Sequence, residues 1–280
     1  MDSIAVILTC HNRREKTLRC LEALETQVPG DRPFTLSVYL VDDHSSDGTS
    51  EAVAERFPSV HLLRGTGELY WNRGMHLAWQ EAAKGNYDHY LWLNDDTFIE
   101  SFCVAELLAC SGQVQDQAVI CASICSAVNG EWTYGGFRIV RHLNVPVHPT
   151  GKLEPCDTFN GNCVLVPRHV YEAVGNIDPV FIHAIGDLDY GLRARKKGIA
   201  SYITTRYTGT CEKNVLLPKW CRPEIPLRDR VKSLYSPLGN SHPYYFFIYE
   251  NRHFSPVLAL KHLFTIHLRL CMPRLWTSSK

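Results

Sequence analysis

The first hundred residues alternate between short apolar runs and amphipathic stretches, and this alternation constrains the fold more than any other feature. The apolar runs are short and rich in Val, Ile and Leu, which indicates buried strands. Between them, apolar residues recur at helical spacing, as with Leu18, Leu21 and Leu24. Strands that alternate with helices predict an α/β fold with a doubly wound, mostly parallel sheet and helices on both faces. The four apolar runs are residues 3–9, 34–41, 59–63 and 89–93.

Polar clusters follow three of these predicted strands. TCHNR begins at Thr9, DDHSSDGT begins at Asp42 and NDDT begins at Asn94. In a parallel sheet, ligands bind in the crevice outside the carboxyl ends of the strands. One such cluster would indicate an ordinary turn, since Asn and Asp are turn formers. Three clusters that face the same crevice predict a binding site.

Asp95 and Asp96 place two carboxylates side by side at the end of a strand. Adjacent like charges are costly unless a cation or hydrogen bonds compensate them. Mg²⁺ and Mn²⁺ prefer carboxylate oxygens and often join them to substrate phosphates, so the pair predicts a divalent metal that holds a diphosphate. The chain has neither GxxxxGK[ST] nor GxGxxG, which argues against a nucleoside triphosphatase and a dinucleotide-dependent dehydrogenase.

A second acidic pair, Asp187 and Asp189, lies in GDLDYGLR at the predicted start of a helix. Two interpretations are open for this pair. The helix dipole favours acidic residues in a first turn, whatever their function. Alternatively, one carboxylate is a general base that removes the proton of an attacking hydroxyl.

Six segments, in this order, resemble motifs of the family 2 glycosyltransferases, which are inverting enzymes with the GT-A fold. The segments are VILTCHNR, LVDDHSSDGTSE, WNRGMHLA, LWLNDDT, FNGNCVLVPRHVYEAVGNID and GDLDYGLRARKKG. The resemblance covers about residues 3–212. It implies a Rossmann-like GT-A catalytic domain over 1–212, with a nucleotide-binding half at about 1–100 and an acceptor half at about 101–212. Residues 213–280 would form a mainly helical or loop extension.

The resemblance also implies roles for individual residues. Asp187 would be the catalytic base, and Asp96 the ligand of a divalent metal, Mn or Mg. The predicted donor-binding residues are Thr9, His11, Asn12, Arg13, Asp42, Asp43, Asn72, Arg73, Asn94, Asp95 and Gly161. The candidates for the acceptor side are Trp132, Asn160, His183 and Asp189. Gly161 would let the backbone approach the bound sugar, while Trp132 could instead pack within a hairpin and His183 could be an ordinary polar residue.

The chain departs from the family pattern at three places. Asn94 replaces one acid of the metal motif, and Gly186 replaces the acid before the base. The segment TTRYTGTCEKN contains no His where many relatives have a metal ligand. The remaining ligands of the metal would then be water and diphosphate alone. Alternatively, a residue that the sequence does not identify would complete its coordination.

The implied activity is metal-dependent transfer of a hexosyl or deoxyhexosyl group. The sugar would move from a nucleotide-sugar donor to a hydroxyl of a glycan or lipid-linked glycan, in cell-surface polysaccharide biosynthesis. A sugar-nucleotide nucleotidyltransferase should have a Gly-rich loop after the first strand, where this chain has TCHNRREK. A non-catalytic sugar-nucleotide-binding relative would have lost the acids, and both acidic pairs are present.

Residues 213–280 carry a charge opposite to that of the rest of the chain. They contain 11 Lys and Arg but 3 Asp and Glu, whereas the whole chain is neutral. This excess predicts an anionic partner such as a lipid surface or a phosphorylated acceptor, or a basic face packed near the acidic part. Peripheral membrane contact and a homodimer are both open, and no nucleic-acid partner is expected. Within this extension, KWCRPEIPLRDRVKSLYSPLG predicts a mobile loop, and SPVLALKHLFTIHLRLCMPRLW is amphipathic.

The first residues and the cysteines predict a cytoplasmic location, at most peripheral at the inner face of the membrane. MDSIAVILTCHNR has no basic leader, and no apolar run approaches the length of a membrane span. The 11 cysteines include no CxxC pair, and Cys121 and Cys125 have no second pair with which to bind zinc. We therefore expect reduced thiols and no zinc site.

Overall fold

A computed structural model describes residues 1–213, 216–239 and 241–276, and its mixed α/β architecture confirms the predicted fold class. The strands are β1 (Asp2–Cys10), β2 (Phe34–Asp42), β3 (His61–Arg64), β4 (His89–Leu93), β5 (Phe98–Ile99), β6 (Val119–Cys125), β7 (Trp132–Tyr134), β8 (Gly136–Val140), β9 (Leu143–Pro146), β10 (Glu154–Cys156), β11 (Thr158–Phe159), β12 (Cys163–Pro167) and β13 (Ser201–Thr210). The helices are α1 (Arg14–Glu25), α2 (Thr49–Arg56), α3 (Tyr70–Ala82), α4 (Cys103–Gln113), α5 (Arg168–Val174), α6 (Gly186–Lys196), α7 (Leu227–Leu234), α8 (Pro243–His253) and α9 (Pro256–Cys271).

The central sheet has the strand order β10-β13-β6-β12-β4-β1-β2-β3. Strands β4, β1, β2 and β3 are parallel, and β12 runs antiparallel between β4 and β6. Cys10 at the end of β1 is level with Asp42 at the end of β2. The carboxyl ends of β1, β2 and β4 therefore meet at one edge, where the polar clusters follow. A smaller sheet, β11-β8-β9, forms separately.

Helices cover both faces of the sheet, and this explains why its central strands are continuously apolar. Along β1, side chains alternate between the faces, so Val6 packs in the layer with α1 and α4. Ile7 points to the other face, where Trp79 of α3 and Trp92 of β4 are fully buried. Their rings lie 5.2 Å apart, edge to face. Trp79 is thus a core residue.

The prediction of a mobile loop after residue 218 is wrong. A 3₁₀ helix at Lys219–Cys221 and helix α7 form there. Trp220 and Leu234 are buried against Ile266 and Leu270 of α9. The sequence does not show this helix clearly, because Pro and charged residues are frequent in the segment. Its buried apolar positions are few and far apart, so they give no helical periodicity.

Helix α9 confirms the amphipathic C-terminal segment. Ser255 caps it, since its hydroxyl accepts a hydrogen bond from the Leu258 amide at 3.1 Å. None of the helices in the described parts of the chain combines the length and hydropathy that a membrane span requires.

Candidate active site

Two adjoining cavities open where the three polar clusters meet. The first, about 360 Å³, is lined by Asp95, Asp96, Asn160 and Asp187, and we call it the Asp187 cavity. The second, about 380 Å³, is lined by residues from the ends of β1 and β2, and we call it the Asp43 cavity. Both cavities are also lined by a shared set of side chains: Arg13, Trp71, Asp95 and His183.

Arg13 joins the two adjacent carboxylates at the end of β4. Its guanidinium Nη1 lies 2.9 Å from Asp95 Oδ1 and 2.9 Å from Asp96 Oδ2. Burial raises the pKa of Asp95 to about 6, and the charge of Arg13 opposes that rise. Asp96 remains partly open to the cavity. A single cation thus compensates the like charges that the sequence places together.

The residues around Asp96 fit a divalent metal in part. In the described ranges, no group of three His, Cys, Asp or Glu side chains comes together as a metal site. Mg²⁺ commonly binds one or two carboxylates, with substrate phosphates and water as its other ligands. Asp96 can be such a ligand, because Arg13 engages only one of its two oxygens closely. Asn94, which stands in place of the missing acid, lines the Asp187 cavity, and its Oδ1 accepts a hydrogen bond from the Trp71 indole at 2.6 Å.

Asp187 lies in the first turn of α6 and borders the cavity beside Gly161. Its Oδ2 accepts a hydrogen bond from the Gly161 amide at 2.9 Å, and its Oδ1 one from the Leu188 amide at 2.8 Å. Burial raises the pKa of Asp187, against the effect of these hydrogen bonds. A carboxylate held by two amides in a cavity, with a raised pKa, has the properties of a general base.

The backbone before Asp187 is strained. Ile185 has a φ of 78°, in the left-handed region that β-branched residues rarely adopt. It lines the Asp187 cavity at the N-cap of α6. Tyr70, at the Asp43 cavity, has a φ of 55°. Such outliers cluster at functional sites.

Asn72 does not line either cavity, contrary to its predicted role in donor binding. It is fully buried, and its Nδ2 donates to the carbonyls of Asp178 and Phe181 at 2.8 and 2.9 Å. A Cβ on Gly186 would lie 1.7 Å from Asn72 Oδ1. Asn72 therefore occupies the space in which a side chain at position 186 would lie. Arg73 likewise turns away and donates to the Pro179 carbonyl at 2.9 Å.

Gly161 accommodates Trp71 in this structure. A Cβ on Gly161 would lie 2.6 Å from the indole ring of Trp71 and 3.2 Å from the Cβ of Asp187. Gly161 itself lines the Asp187 cavity, so its approach to a bound sugar stays a prediction beside this packing reason. Trp71 lines both cavities and is the side chain that this glycine admits.

The two acids at the end of β2 have different surroundings. Asp42 is buried and accepts hydrogen bonds from the Ser45 amide and the Ser50 hydroxyl, so it shapes the turn before α2 rather than the cavity. Asp43 lines the Asp43 cavity and accepts from the amides of Gly67, Leu69 and Tyr70. A carboxylate offers about four acceptor positions, so Asp43 retains about one for a ligand.

Of the first cluster, Thr9, His11 and Arg13 line the Asp43 cavity. His11 Nδ1 lies 2.7 Å from the Asp43 carbonyl oxygen. Asn12 does not line it: its Oδ1 accepts from the Ser46 amide at 2.7 Å and joins two turns. Asn12 is therefore a scaffold residue of this edge.

Two acceptor-side candidates lie elsewhere. Asp189 is fully buried beneath the cavity wall, where Arg193, Arg252 and His253 contact its carboxylate. Burial would raise the pKa of Asp189, but the hydrogen bond from His253 and the two guanidinium charges hold it below its usual value. Trp132 borders neither cavity and packs edge to face on Phe137 at 5.6 Å, within the hairpin region.

Asn160 lines the Asp187 cavity, and His183 borders both cavities. Burial and the charge of Arg13 lower the pKa of His183. Within the described residues, its buried Nδ1 has no hydrogen-bond partner. His183 thus places a buried polar atom at the junction of the two cavities.

Sequence reasoning missed Cys211, Phe246 and Tyr249, which also line the Asp187 cavity. Phe246 and Tyr249 come from α8 in the extension, far from the other motifs in sequence. No local pattern indicates which face of α8 meets this cavity. The extension therefore contributes part of the cavity wall.

A comparison of the sequence with protein-family profiles identifies the family. The profile of Glycosyl transferase family 2 matches residues 5–153, which is more than half of the chain. The chain belongs to glycosyl transferase family 2. The matched region contains Arg13, Asp43, Asp95 and Asp96, whereas Asp187 lies beyond it. No curated protein sequence matches this glycosyltransferase.

Solved structures of Staphylococcus aureus TarS share the fold of this glycosyltransferase. One TarS structure superposes with a TM-score of 0.57 at 16% identity, over 91% of this chain and 44% of that chain. TarS 1–349 in complex with UDP gives 0.55 at 15% identity, over 90% and 72%. TarS 1–349 in complex with UDP-GlcNAc gives 0.52 at 14% identity, over 91% and 73%. This glycosyltransferase thus spans less than half of the longer TarS chain, and the likeness confirms the predicted GT-A fold.

Proposed function

We propose that this protein is an inverting glycosyltransferase that uses a nucleotide-sugar donor and transfers a hexosyl or deoxyhexosyl group to a hydroxyl of a glycan or lipid-linked glycan. The observation that carries the proposal is that Asp187 shares one cavity with Arg13, Asp95 and Asp96. Such a transfer requires a carboxylate that accepts a proton and a cationic group that binds the diphosphate of the donor. Asp187 would be the first group, and Arg13, which lies beside Asp95 and Asp96, the second. Family membership and the UDP and UDP-GlcNAc complexes of TarS support the donor class.

In this mechanism, Asp187 accepts the proton of the acceptor hydroxyl as its oxygen attacks the anomeric carbon of the donor. The bond from that carbon to the diphosphate oxygen breaks on the opposite face, and the electron pair leaves with the nucleoside diphosphate. The configuration at the anomeric carbon inverts because attack and departure are on opposite faces. The amides of Gly161 and Leu188 hold the carboxylate in place during the proton transfer.

Arg13 and Asp96 would hold the diphosphate end of the donor. The Arg13 guanidinium lies at the junction of the two cavities and can pair with phosphate oxygens in a bidentate geometry. A divalent cation, Mn²⁺ or Mg²⁺, would be held by Asp96 and would neutralise charge on the departing diphosphate. The Asp43 cavity, with Thr9 and His11, would accommodate the nucleoside.

The biological setting that we propose is cell-surface polysaccharide synthesis in the cytoplasm. The family resemblance and the basic extension support this setting. We also propose residues 1–212 as the catalytic domain and 213–280 as the extension that completes its acceptor side, since Phe246 and Tyr249 border the Asp187 cavity.

The test is a donor screen with separate readouts for binding and transfer. Purified protein is incubated with UDP-, GDP- and dTDP-sugars and Mn²⁺, and the released nucleoside diphosphate is quantified. Asp187→Asn should lower release by about 10²–10⁴-fold, while calorimetry shows donor binding close to that of the unaltered protein. Asp31→Asn, an exposed acid outside both cavities, is the control and should change neither. Equal loss of donor binding and release would make Asp187 a donor ligand and overturn its role as the base.

A further inference from the structure

The C-terminal extension exposes a concentration of large apolar side chains. Most of the large apolar residues that are exposed in the described parts of the chain lie between Leu216 and Leu275. Helix α9 contributes several of these exposed residues, because it is apolar on two faces. Its inner face is buried in the core of the extension. Val257, Leu260 and Phe264, at helical spacing on its outer face, are 76, 58 and 68% exposed.

Helix α7 carries a second apolar stripe beside the first. Leu227, Val231 and Tyr235 are exposed at intervals of four residues along α7 and its C-cap. Arg228 and Lys232 flank this stripe at the same interval and are exposed as well. The Tyr235 hydroxyl lies 2.7 Å from His267 Nε2 of α9, so the two helices are neighbours. We call the two stripes and their flanking cations the docking face.

The charge of this region is strongly one-sided. Glu250, one of its three acids, is buried and hydrogen-bonded to His262. The exposed acids of the described extension are therefore Glu224 and Asp229. Its exposed cations are more numerous: Lys213, Lys219, Arg228, Lys232, Lys261 and Arg274.

Two kinds of partner could cover the docking face: a second copy of the chain or a lipid surface. The excess of Lys and Arg around the apolar stripes decides between them. In a symmetric dimer the same patch meets itself, so the cations around the stripes would face cations. An anionic lipid surface instead offers hydrocarbon to the apolar side chains and negative head groups to the Lys and Arg that flank them. Because no described helix can span a bilayer, such helices would lie in the plane of the interface.

We propose that the docking face binds the surface of an anionic lipid bilayer through α7 and α9. The proposal does not depend on the proposed glycosyl transfer, since it rests on exposure and charge alone. It has a consequence for that function. A cavity of about 960 Å³ lined by Lys219, Lys232 and Leu238 reaches His183, which also borders the Asp187 cavity. Docking would place this cavity near the lipid surface from which a lipid-linked acceptor enters.

Vesicle sedimentation with the full-length protein tests the proposal. Phosphatidylcholine vesicles are compared with vesicles that also contain phosphatidylglycerol, at low and at high salt. We expect binding to the anionic vesicles, weakened by salt, and little binding to neutral ones. Leu260→Ser with Phe264→Ser should weaken binding at least about tenfold, and Arg228→Gln with Lys232→Gln about thirtyfold.

The matched control is Val128→Ser with Leu143→Ser, which removes apolar side chains that are 86 and 69% exposed outside the extension. This variant should bind vesicles as the unaltered protein does. Thermal unfolding checks that all variants fold, and donor hydrolysis in solution should not change, so a failure of docking is distinguishable from a failure of catalysis. No binding to anionic vesicles overturns the proposal, as does equal binding by the Leu260 and Phe264 variant. A dimer that this variant dissociates, without vesicle binding, would assign the face to a second copy instead.

Discussion

Arg252 of α8 donates a hydrogen bond to Asp189 of α6 at 2.8 Å, and this ion pair joins the C-terminal extension to the helix that carries Asp187. The same guanidinium lies 2.8 Å from Asp178. Asp189 is fully buried, so its charge depends on these partners. The position of Asp187 two residues away is therefore coupled to the packing of α8.

Arg252→Ala should destabilise the protein by about 2–4 kcal/mol, because it leaves a buried carboxylate with fewer partners. Urea unfolding at neutral pH measures the loss. Arg56→Ala is the control, since Arg56 forms an ion pair with Glu22 in which both side chains are about half exposed, and its loss should cost less than about 1 kcal/mol. If both variants lose the same stability, the Arg252 pair contributes no more than a surface pair.

Asp95→Asn should stabilise the protein at neutral pH. The pKa of Asp95 is raised from 3.8 to about 6, so the folded chain binds this proton more tightly than the unfolded chain. Ionisation of Asp95 above pH 6 then costs up to about 3 kcal/mol, and the cost disappears as the pH falls through 6 towards 4. The substitution should add about 1–3 kcal/mol to the unfolding free energy at pH 7.5 and little at pH 4.

Unfolding curves of the Asp95 variant at both pH values measure this difference. Asp96→Asn serves as its control, because Asp96 is more exposed, and we expect a change within about 1 kcal/mol. A loss of stability in Asp95→Asn at pH 7.5 would mean that the pair with Arg13 outweighs the cost of burial.

Gly186→Ala should destabilise the protein because its Cβ would meet Asn72 Oδ1 at 1.7 Å. Overpacking of this kind costs about 1–3 kcal/mol. Asn72→Ala alone should also destabilise, since two carbonyls lose their hydrogen bonds. In the double variant the clash is absent, so its loss should be smaller than the sum by about 1 kcal/mol or more.

A double-mutant cycle of unfolding free energies measures this coupling between positions 72 and 186. Gly151→Ala is a control for glycine replacement without a clash, because a Cβ there meets no atom within 4 Å, although its φ of 85° adds strain. Strictly additive losses at 72 and 186 would show that the backbone relaxes around the new methyl group.

The relation of Asn72 to Gly186 also shows what the sequence can and cannot predict. The polar ends of β1, β2 and β4 are predictable, because each follows its own strand and parallel strands end at one edge. Asp187 is likewise placed by the start of its own helix. The partner of Asn72 comes from the segment around Asp178, more than a hundred residues away. Nothing local distinguishes a buried Asn from one that faces a ligand.

The same limit applies to the extension. Its composition predicts a basic surface and an amphipathic α9, because charge and periodicity are local properties. The contribution of Phe246 and Tyr249 to the Asp187 cavity depends on how α8 docks on α6. Asp189 looks like a site residue in GDLDYGLR, yet its partners Arg252 and His253 are supplied by α8.

The rate of transfer should fall on the acid side at a higher pH than for an ordinary aspartate. Asp187, the base that we propose, would act only when it is deprotonated, and burial raises its pKa. As the pH falls through that raised value, kcat/KM should decrease about tenfold per unit. Measuring the profile in Asp95→Asn separates the two acids, because that variant removes a second group that titrates near 6. A profile of Asp95→Asn without an acid limb would assign the titration to Asp95.

Truncation after residue 212 should leave a catalytic region that does not fold stably alone. The cut exposes Phe181 and Ile185, which pack on Tyr249 of α8. It also removes Arg252 and His253, two of the three partners of the Asp189 carboxylate, and leaves Arg193. Calorimetry should show unfolding about 10 °C or more below that of the full chain, or no cooperative transition. A truncated chain carrying Asp189→Asn is the informative companion, since a neutral amide depends less on the two lost partners and should recover part of the loss. Cooperative unfolding of residues 1–212 at the temperature of the full chain would instead establish the predicted boundary as that of an independent domain.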